Sequence, residues 1–198
     1  MPVDEGVRMD LAGSTSTTLA TSAEEAYLQL RELADKAALV NLSVLYSMAV
    51  DDHDLDTVVA CFAPDGSFTR LGTTVRGHAD LRTFYASMMD RYVTTLHTPE
   101  SHVAVVDVDA GTARGVVNGH GELALGDRLL LAAYRYDDSY VRLDGRWVFA
   151  ARSIRFMYNV PADEMATSFA DARRLRVPGT PVTEGDYPET LPTWSSHH

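Results

Sequence analysis

The chain contains one cysteine, Cys61, among its 198 residues. A single thiol excludes a disulfide within the chain, and it excludes zinc and iron–sulfur sites built from several cysteines. The sequence also lacks the Gly-x-Gly-x-x-Gly, P-loop and Gly-x-Ser-x-Gly motifs. Without them, nucleotide-dependent chemistry and serine hydrolysis at a nucleophile elbow have no support.

Positive charge is scarce: 17 Lys and Arg residues stand against 28 Asp and Glu residues, which gives a formal net charge of −11. Such a surface repels phosphate backbones and acidic membranes, so we expect neither nucleic acid nor a membrane as partner. No apolar run approaches the roughly 18 residues of a transmembrane helix. Residues 1–21 lack both the apolar core of a signal peptide and any periodicity, which predicts a flexible arm on a cytoplasmic protein.

A long amphipathic helix is predicted after this arm. Ser22 and Glu25 fit a capping box at its start. An end near Ala49 or Val50 is expected, because an acidic cluster follows at 51–54. Apolar residues recur between these ends at helical spacing, and they form one stripe: Ala26, Leu30, Leu33, Ala37, Val40 and Val44.

Two shorter helices and a hairpin are predicted next. The second helix begins near Leu55 and is expected to stop at the turn signal Pro64-Asp65-Gly66. Residues 67–76 then form a small hairpin across Gly72. The third helix begins at Gly77, and its apolar stripe consists of Leu81, Phe84, Tyr85, Met88, Met89 and Tyr92.

The apolar period changes to two after the third helix, which predicts strands joined by tight turns. Helices followed by an antiparallel meander indicate an α+β fold, with a curved sheet wrapped on the long helix and a pocket between them. We therefore expect a single domain over residues 22–176. The four long predicted strands are His102–Val108, Thr112–Leu125, Arg128–Leu143 and Arg146–Tyr158.

The C-terminal part of the chain is predicted to hold a last helix from Ala162 to Arg176, followed by an extended tail over 177–198. The tail contains four prolines, yet it also carries Tyr187, Leu191 and Trp194. A disordered tail is normally poorer in large apolar groups. We therefore expect part of it to lie along the protein and to use these side chains as anchors.

Three polar side chains stand out as candidates for chemistry. Tyr46 and Asp51 lie five positions apart around the end of the first helix, and they converge only if the helix ends between them. Asp51 follows the apolar pair Ala49-Val50 directly, which favours an inward direction. His97 precedes the first predicted long strand, and a loop histidine bonded only to backbone is the alternative interpretation.

Two further histidines, His102 and His120, lie on predicted strands. Together with His97 they invite a metal hypothesis, but no His-x-x-x-His or carboxylate–histidine helix pair supports it, and no metal is expected. Parity places Tyr134, Tyr136 and Tyr140 on one face of their strand. Such a row suits an aromatic or polycyclic ligand, and cross-strand packing is the plain alternative.

The order of these motifs resembles the SnoaL-like branch of the nuclear-transport-factor-2-like superfamily over about residues 24–160. The fold that this resemblance implies is a cone-shaped α+β domain. The motifs that carry it are Tyr46-Ser47-Met48-Ala49-Val50-Asp51-Asp52-His53-Asp54-Leu55-Asp56, Cys61-Phe62-Ala63-Pro64-Asp65-Gly66, Val75-Arg76-Gly77, Leu96-His97, Ser101-His102-Val103, Tyr136-Asp137-Asp138-Ser139-Tyr140 and Asp144-Gly145-Arg146-Trp147.

The resemblance also implies an activity. Members of the scytalone dehydratase, bile-acid 7α-dehydratase and dehydrochlorinase type use an aspartate that orients a proton-abstracting histidine, with a tyrosine assisting. These roles fall on Asp51, His97 and Tyr46, and His102 stays open as an alternative histidine. Arg142 and His120 match further polar positions. The implied protein is a cofactor-independent lyase or isomerase for a hydrophobic terpenoid, steroid or polyketide, assembled as a homo-dimer or homo-trimer.

Two alternatives remain within the same resemblance. Some members with this fold are accessory subunits without catalysis, so a non-catalytic binding module is one of them. The other is a polyketide cyclase in which the aspartate alone acts as acid and base. A close contact between Asp51 and His97 inside a pocket distinguishes the dyad hypothesis from the binding module, whereas in the cyclase His97 is dispensable.

Overall fold

The computed structural model describes residues 17–196, and residues 1–16 of the predicted arm lie outside this range. The chain folds into one mixed sheet with helices packed on it. The elements are α1 (Ala23–Asp51), α2 (Leu55–Ala60), β1 (Phe62–Arg70), β2 (Thr73–Arg76), α3 (Gly77–Arg91), β3 (Thr94–Asp107), β4 (Thr112–Leu125), β5 (Arg128–Leu143), β6 (Arg146–Pro161), a 3₁₀ turn (Ala162–Glu164), α4 (Met165–Ser168) and α5 (Pro192–Ser195).

The long helix α1 begins at the predicted cap. The Ser22 hydroxyl accepts a hydrogen bond of 3.2 Å from the Glu25 backbone N–H, and the Glu25 carboxylate reaches back to Thr21. The predicted apolar stripe is wrong, because all six of its residues are exposed. The buried positions of α1 begin at Asp35 and lie on another face, which includes Leu39, Leu42 and Tyr46. Leu30 and Leu33 precede that point, and each is 64% exposed.

By length and composition alone, α1 is apolar enough to cross a membrane, contrary to the expectation from the sequence. Core helices of globular proteins share this composition. In this fold the second half of α1 contributes Leu39, Leu42 and Tyr46 to the core. The apolar character of α1 is thus used, on one face, to pack against the sheet.

The sheet has the strand order β2-β1-β6-β5-β4-β3. The predicted meander from β3 to β6 is confirmed, with every neighbouring pair antiparallel. The pairing of β1 with β6 is parallel, which makes the sheet mixed and not wholly antiparallel as predicted. The sheet is curved and unclosed, so it has a concave face. α1 and α3 pack on this face and leave a pocket at one end.

Two predicted boundaries in the strands are wrong. β3 begins at Thr94, well before His102, and runs through Pro99 with a register shift between Pro99 and Ser101. β3 is an edge strand, where a proline without an N–H is tolerated. The predicted turn Pro64-Asp65-Gly66 lies inside β1, where it forms an irregularity in the pairing with β6 and not a break.

The predicted helix from Ala162 to Arg176 is also wrong, since only the short 3₁₀ turn and α4 form there. β1 covers the edge of β6 as far as Ile154 and leaves the later backbone groups of β6 open. The chain after α4 fills this edge through backbone hydrogen bonds to Asn159 and Phe156. Backbone pairing with β6 therefore replaces helical bonding in this segment.

The tail contributes one buried anchor. Tyr187 is buried, as predicted for part of this segment, and its ring lies on the outer face of the sheet beneath Arg135, with 4.7 Å from guanidinium carbon to ring centroid. Trp194 remains 39% exposed. The tail is thus held by Tyr187 and by the edge of β6.

Candidate active site

Asp51 is the last residue of α1, and its carboxylate points to the first residues of β3. One oxygen, Oδ1, accepts the Thr95 hydroxyl at 2.7 Å and the His97 ring Nδ1 at 2.6 Å. The other, Oδ2, accepts the His97 backbone N–H at 2.7 Å. The structure therefore brings together Asp51 and His97, which lie 46 positions apart in the sequence.

These hydrogen bonds fix the charge on Asp51. Burial by itself raises the pKa of the Asp51 carboxyl, but the hydrogen bonds from His97 and Thr95 outweigh it and hold the pKa below its ordinary value. An ionised carboxylate can only accept, so Nδ1 of His97 carries the hydrogen. In the neutral imidazole Nε2 is then unprotonated, and it is free to accept a proton.

The His97 ring lines a pocket between the concave face of the sheet, the end of α1 and one side of α3. The space amounts to ≈ 750 Å³, including the part open to solvent. Most of its walls are apolar or aromatic. The lining residues include Val50, Phe68, Phe84, Tyr85, Met88, Met89, Tyr92, Leu123, Ile154 and Phe156.

Tyrosines form the floor of this pocket. Tyr134 and Tyr136 pack at 5.0 Å between ring centroids, and the Tyr134 ring lies 6.1 Å from that of His97. Tyr46 also lines the pocket, and its hydroxyl shares a hydrogen bond of 2.8 Å with Tyr85. Burial raises the pKa of Tyr134 and Tyr46 well above 10, so both hydroxyls are neutral donors.

A buried ion pair supports the tyrosines from below. Arg152 donates to Asp138 through Nε at 2.9 Å and Nη2 at 2.8 Å. Its guanidinium carbon lies 3.9 Å from the ring centroid of Tyr136 and 4.6 Å from that of Tyr46. Burial raises the pKa of Tyr136 to about 12, although the Arg152 cation acts in the opposite direction.

Three of the predicted site residues lie outside this pocket. His102 faces inward beyond the register shift of β3, under the middle of α1, where its Nε2 lies 3.1 Å from the Tyr140 hydroxyl. His120 lies on the outer face of β4 beside Glu100 at 2.9 Å, because the odd-numbered residues of β4 face inward. Neither histidine lines the pocket beside His97, and a substrate contact for them stays a prediction.

Arg142 is the third. Its Nη1 contacts both oxygens of Asp35 at 3.0 Å, its Nη2 donates to the Val108 carbonyl, and its guanidinium stacks on Trp147. These contacts tie β5 to α1 and to the turn before β4. Arg142 is therefore a structural link that does not line the pocket, and its substrate contact stays a prediction.

The structure adds residues that the sequence did not single out. Asn159, Arg70 and His53 line the pocket. Asn159 is buried and its Oδ1 has no hydrogen-bond partner among the described residues. An extra residue in β6, Met157, reverses the alternation between Phe156 and Asn159, so both face inward. No signal in the sequence indicates this reversal.

Within residues 17–196, no group of three His, Cys, Asp or Glu side chains converges in a way that could hold a metal ion. The arrangement that does exist is a carboxylate–imidazole pair at the edge of an apolar pocket with neutral tyrosine hydroxyls. Such a set of groups can abstract a proton and stabilise a developing oxyanion.

Comparisons with solved structures agree on the fold. LinA superposes with a TM-score of 0.63 at 22% identity, over 67% of this chain and 92% of that chain. A hexachlorocyclohexane dehydrochlorinase (LinA) of type 2 gives 0.62 at 21%, over 77% and 99%. A protein of Novosphingobium aromaticivorans DSM 12444 assigned as a scytalone dehydratase gives 0.63 at 15%, over 77% and 99%.

At these identities the superpositions show a shared fold and not a shared activity. No curated protein matches the chain. The SnoaL-like domain, in contrast, matches residues 31–153, which is more than half of the chain. The match includes Asp51, His97 and most of the pocket floor. The chain therefore belongs to the SnoaL-like family of the nuclear-transport-factor-2-like superfamily.

Proposed function

We propose that this protein is a cofactor-independent lyase or isomerase that abstracts a proton from a hydrophobic small molecule. The observation that carries the proposal is the 2.6 Å contact between His97 Nδ1 and Asp51, with the His97 ring at the wall of an apolar pocket. Membership of a family with dehydratase and dehydrochlorinase structural neighbours supports the same reaction class.

The proposed reaction begins at His97. Nε2 takes a proton from a carbon next to a carbonyl or a leaving group, and the electrons of the broken C–H bond form the new double bond. Asp51 holds the imidazole in one tautomer and stabilises the imidazolium. In a dehydration, the imidazolium returns its proton to the departing hydroxyl, and water is released.

A hydrogen-bond donor is needed where negative charge develops on the substrate. Tyr134 fits this role, because its hydroxyl is buried without a partner among the described residues and its ring neighbours His97. A neutral tyrosine can donate to an oxyanion without adding charge to the site. The Tyr46 hydroxyl is hydrogen-bonded to that of Tyr85, so Tyr46 assists by keeping the tyrosines of the pocket floor in place.

The two alternatives to the dyad, an aspartate-only cyclase and a non-catalytic binding module, make different demands on Asp51 and His97. A cyclase that relies on the aspartate alone needs a carboxylate oxygen directed at substrate, whereas both oxygens of Asp51 accept hydrogen bonds from Thr95 and His97. This favours the dyad over the aspartate alone. A non-catalytic binding module has no need for an oriented imidazole at the pocket wall.

The test uses the full chain and a panel of ring-bearing β-hydroxy ketones, whose dehydration gives conjugated enones that absorb in the ultraviolet. For any substrate turned over, His97→Gln is expected to lower kcat by about 100-fold or more while the melting temperature is retained. His120→Gln, an exposed histidine outside the pocket, is the matched control. Unchanged kcat in His97→Gln would remove His97 from the mechanism.

A further inference from the structure

Arg70 ends β1 at the rim of the pocket. It is partly exposed, and it pairs with Ile154 in the sheet. Its guanidinium carbon lies 5.6 Å from the ring centroid of Phe156, and both residues line the pocket. A cation is thus placed beside an aromatic wall, with one side open to the space that a ligand would occupy.

The Arg70 guanidinium makes no ion pair with a carboxylate in the described part of the chain. Some arginines on the sheet are paired: Arg142 with Asp35, Arg152 with Asp138 and Arg155 with Asp137. Others have no ion pair among the described residues, namely Arg70, Arg76, Arg114, Arg135 and Arg146. Of the arginines without an ion pair, Arg70 is the one that lines the largely apolar pocket.

The lining of the pocket carries one permanently positive side chain. Among its described lining residues, Arg70 is the one lysine or arginine, and none is Asp or Glu. Asp51 lies behind His97 and is engaged by three hydrogen bonds. Because the walls are mainly apolar, a charge at the rim acts through a lower effective dielectric than one on the open surface.

Polar atoms inside the pocket also lack partners. The Tyr134 hydroxyl and the Asn159 side-chain oxygen are both buried, and neither makes a hydrogen bond within residues 17–196. Buried polar atoms in folded proteins are normally paired, and leaving them unpaired is costly. A ligand with polar groups at more than one point along its length would satisfy these atoms together with Arg70.

We propose that the substrate is an elongated apolar carboxylate, with its carboxylate bound to Arg70 and its reacting carbon at His97. Only the placement of the reacting carbon at His97 rests on the proposed function. A guanidinium binds a carboxylate through two parallel hydrogen bonds, which favours this anion. β1 and β3 are four strand spacings apart in the sheet, which is roughly 19 Å along its curved surface, so Arg70 and His97 reach the pocket from opposite sides of the sheet.

The experiment measures binding and not turnover. Anthracene-2-carboxylate and neutral anthracen-2-ylmethanol are titrated into the full chain, and Kd is read from their fluorescence. The wild type is expected to bind the carboxylate more tightly than the alcohol. Arg70→Met is expected to weaken carboxylate binding by at least about tenfold and to leave alcohol binding within about twofold.

Two further variants make the result specific to Arg70. Arg70→Lys keeps the charge without the paired donors and is expected to fall between wild type and Arg70→Met. Arg114→Met removes an exposed arginine outside the pocket and is expected to change neither Kd. Equal carboxylate affinity in wild type and Arg70→Met, or no preference of the wild type for the carboxylate, would overturn the proposal.

His97→Gln separates this proposal from the proposed function. If the variant keeps wild-type affinity for the carboxylate and loses turnover, both proposals stand. If Arg70→Met binds the carboxylate like the wild type while turnover still requires His97, only the anion site is refuted. If Arg70 governs binding and His97→Gln retains full kcat, only the proposed function is refuted.

Discussion

At the scale of single residues, the site depends on which lone pairs are already in use. Both carboxylate oxygens of Asp51 accept hydrogen bonds, and its neighbour His97 keeps one ring nitrogen free for the pocket. Tyr134 and Asn159, in contrast, bring buried polar atoms that no described residue satisfies. The paired oxygens of Asp51 position His97 as the base. The unpaired atoms of Tyr134 and Asn159 are suited to contact with a ligand.

The first prediction concerns the charge of Asp51. Its folded-state pKa is lowered from the ordinary value of 3.8, so ionised Asp51 contributes stability above that value. The contribution is lost as the pH falls through the lowered pKa. Asp51→Asn is expected to lower the free energy of unfolding at pH 7 by about 1–3 kcal/mol, and the difference from wild type should shrink with acidification.

Chemical denaturation at a series of pH values checks this prediction. Asp52→Asn is the matched control, since it makes the same substitution at an exposed neighbouring position. A gap between wild type and Asp51→Asn that stays constant from neutral pH to below pH 3.8 would contradict the role given to ionised Asp51.

At the scale of elements, irregularities in the strands decide which side chains face the pocket. The register shift in β3 allows His97 and His102 to face inward although they are five positions apart. The extra residue in β6 likewise allows Phe156 and Asn159, three positions apart, both to face inward. Extra residues of this kind bend a strand and redirect its side chains, so the end of the sheet becomes a recess.

Glycines in β4 give the second prediction. A Cβ on Gly119 would lie 2.7 Å from the Thr98 carbonyl oxygen and 2.8 Å from a Tyr134 ring carbon. On Gly121 the nearest atom would be a Tyr134 ring carbon at 3.6 Å, an ordinary contact. Gly119→Ala is expected to cost about 1–3 kcal/mol of stability, whereas Gly121→Ala should stay within about 1 kcal/mol of wild type.

Thermal and chemical denaturation of the two variants, measured side by side, provides the check, and each serves as the control for the other. Gly121→Ala is also expected to weaken binding of wide ligands, because its methyl group enters the pocket floor near His97. Equal stability of Gly119→Ala and wild type would mean that β4 shifts freely beneath Tyr134, contrary to the close packing described.

At the scale of the whole molecule, apolar side chains remain exposed on two surfaces. Leu33 and Met48 on α1 are 64% and 57% exposed, and Val103 and Val105 on the outer face of β3 are 37% and 47% exposed. Surfaces of this kind commonly mark interfaces between subunits. They support the proposal, made first from the family resemblance, that the chain assembles as a homo-dimer or homo-trimer.

The third prediction follows from this proposal. Light scattering coupled to gel filtration is expected to give two or three times the chain mass of 21.7 kDa at micromolar concentration. Leu33→Asp and Val105→Asp test the two surfaces separately, and the one that lowers the mass identifies the interface. A mass of 21.7 kDa for the wild type would refute the proposed assembly.

The sequence by itself determined the types and order of most elements. Capping and helical spacing located α1, turn glycines located the β4, β5 and β6 hairpins, and the residue types of Asp51, His97 and Tyr46 indicated proton-transfer chemistry. These signals are local: a helical period or an alternation of two reports which residues share a face within one uninterrupted element. The family resemblance joined them into the α+β cone.

Only the tertiary structure decided what contacts what. The parallel pairing of β1 with β6, the docking of the tail on the open edge of β6, and the exclusion of His102, His120 and Arg142 from the pocket depend on residues far apart in sequence. A shift of one residue in register turns the following side chains to the other face. That shift is set by the partner strand, so the alternation read along a single strand could not place Asn159 or Arg70 at the pocket.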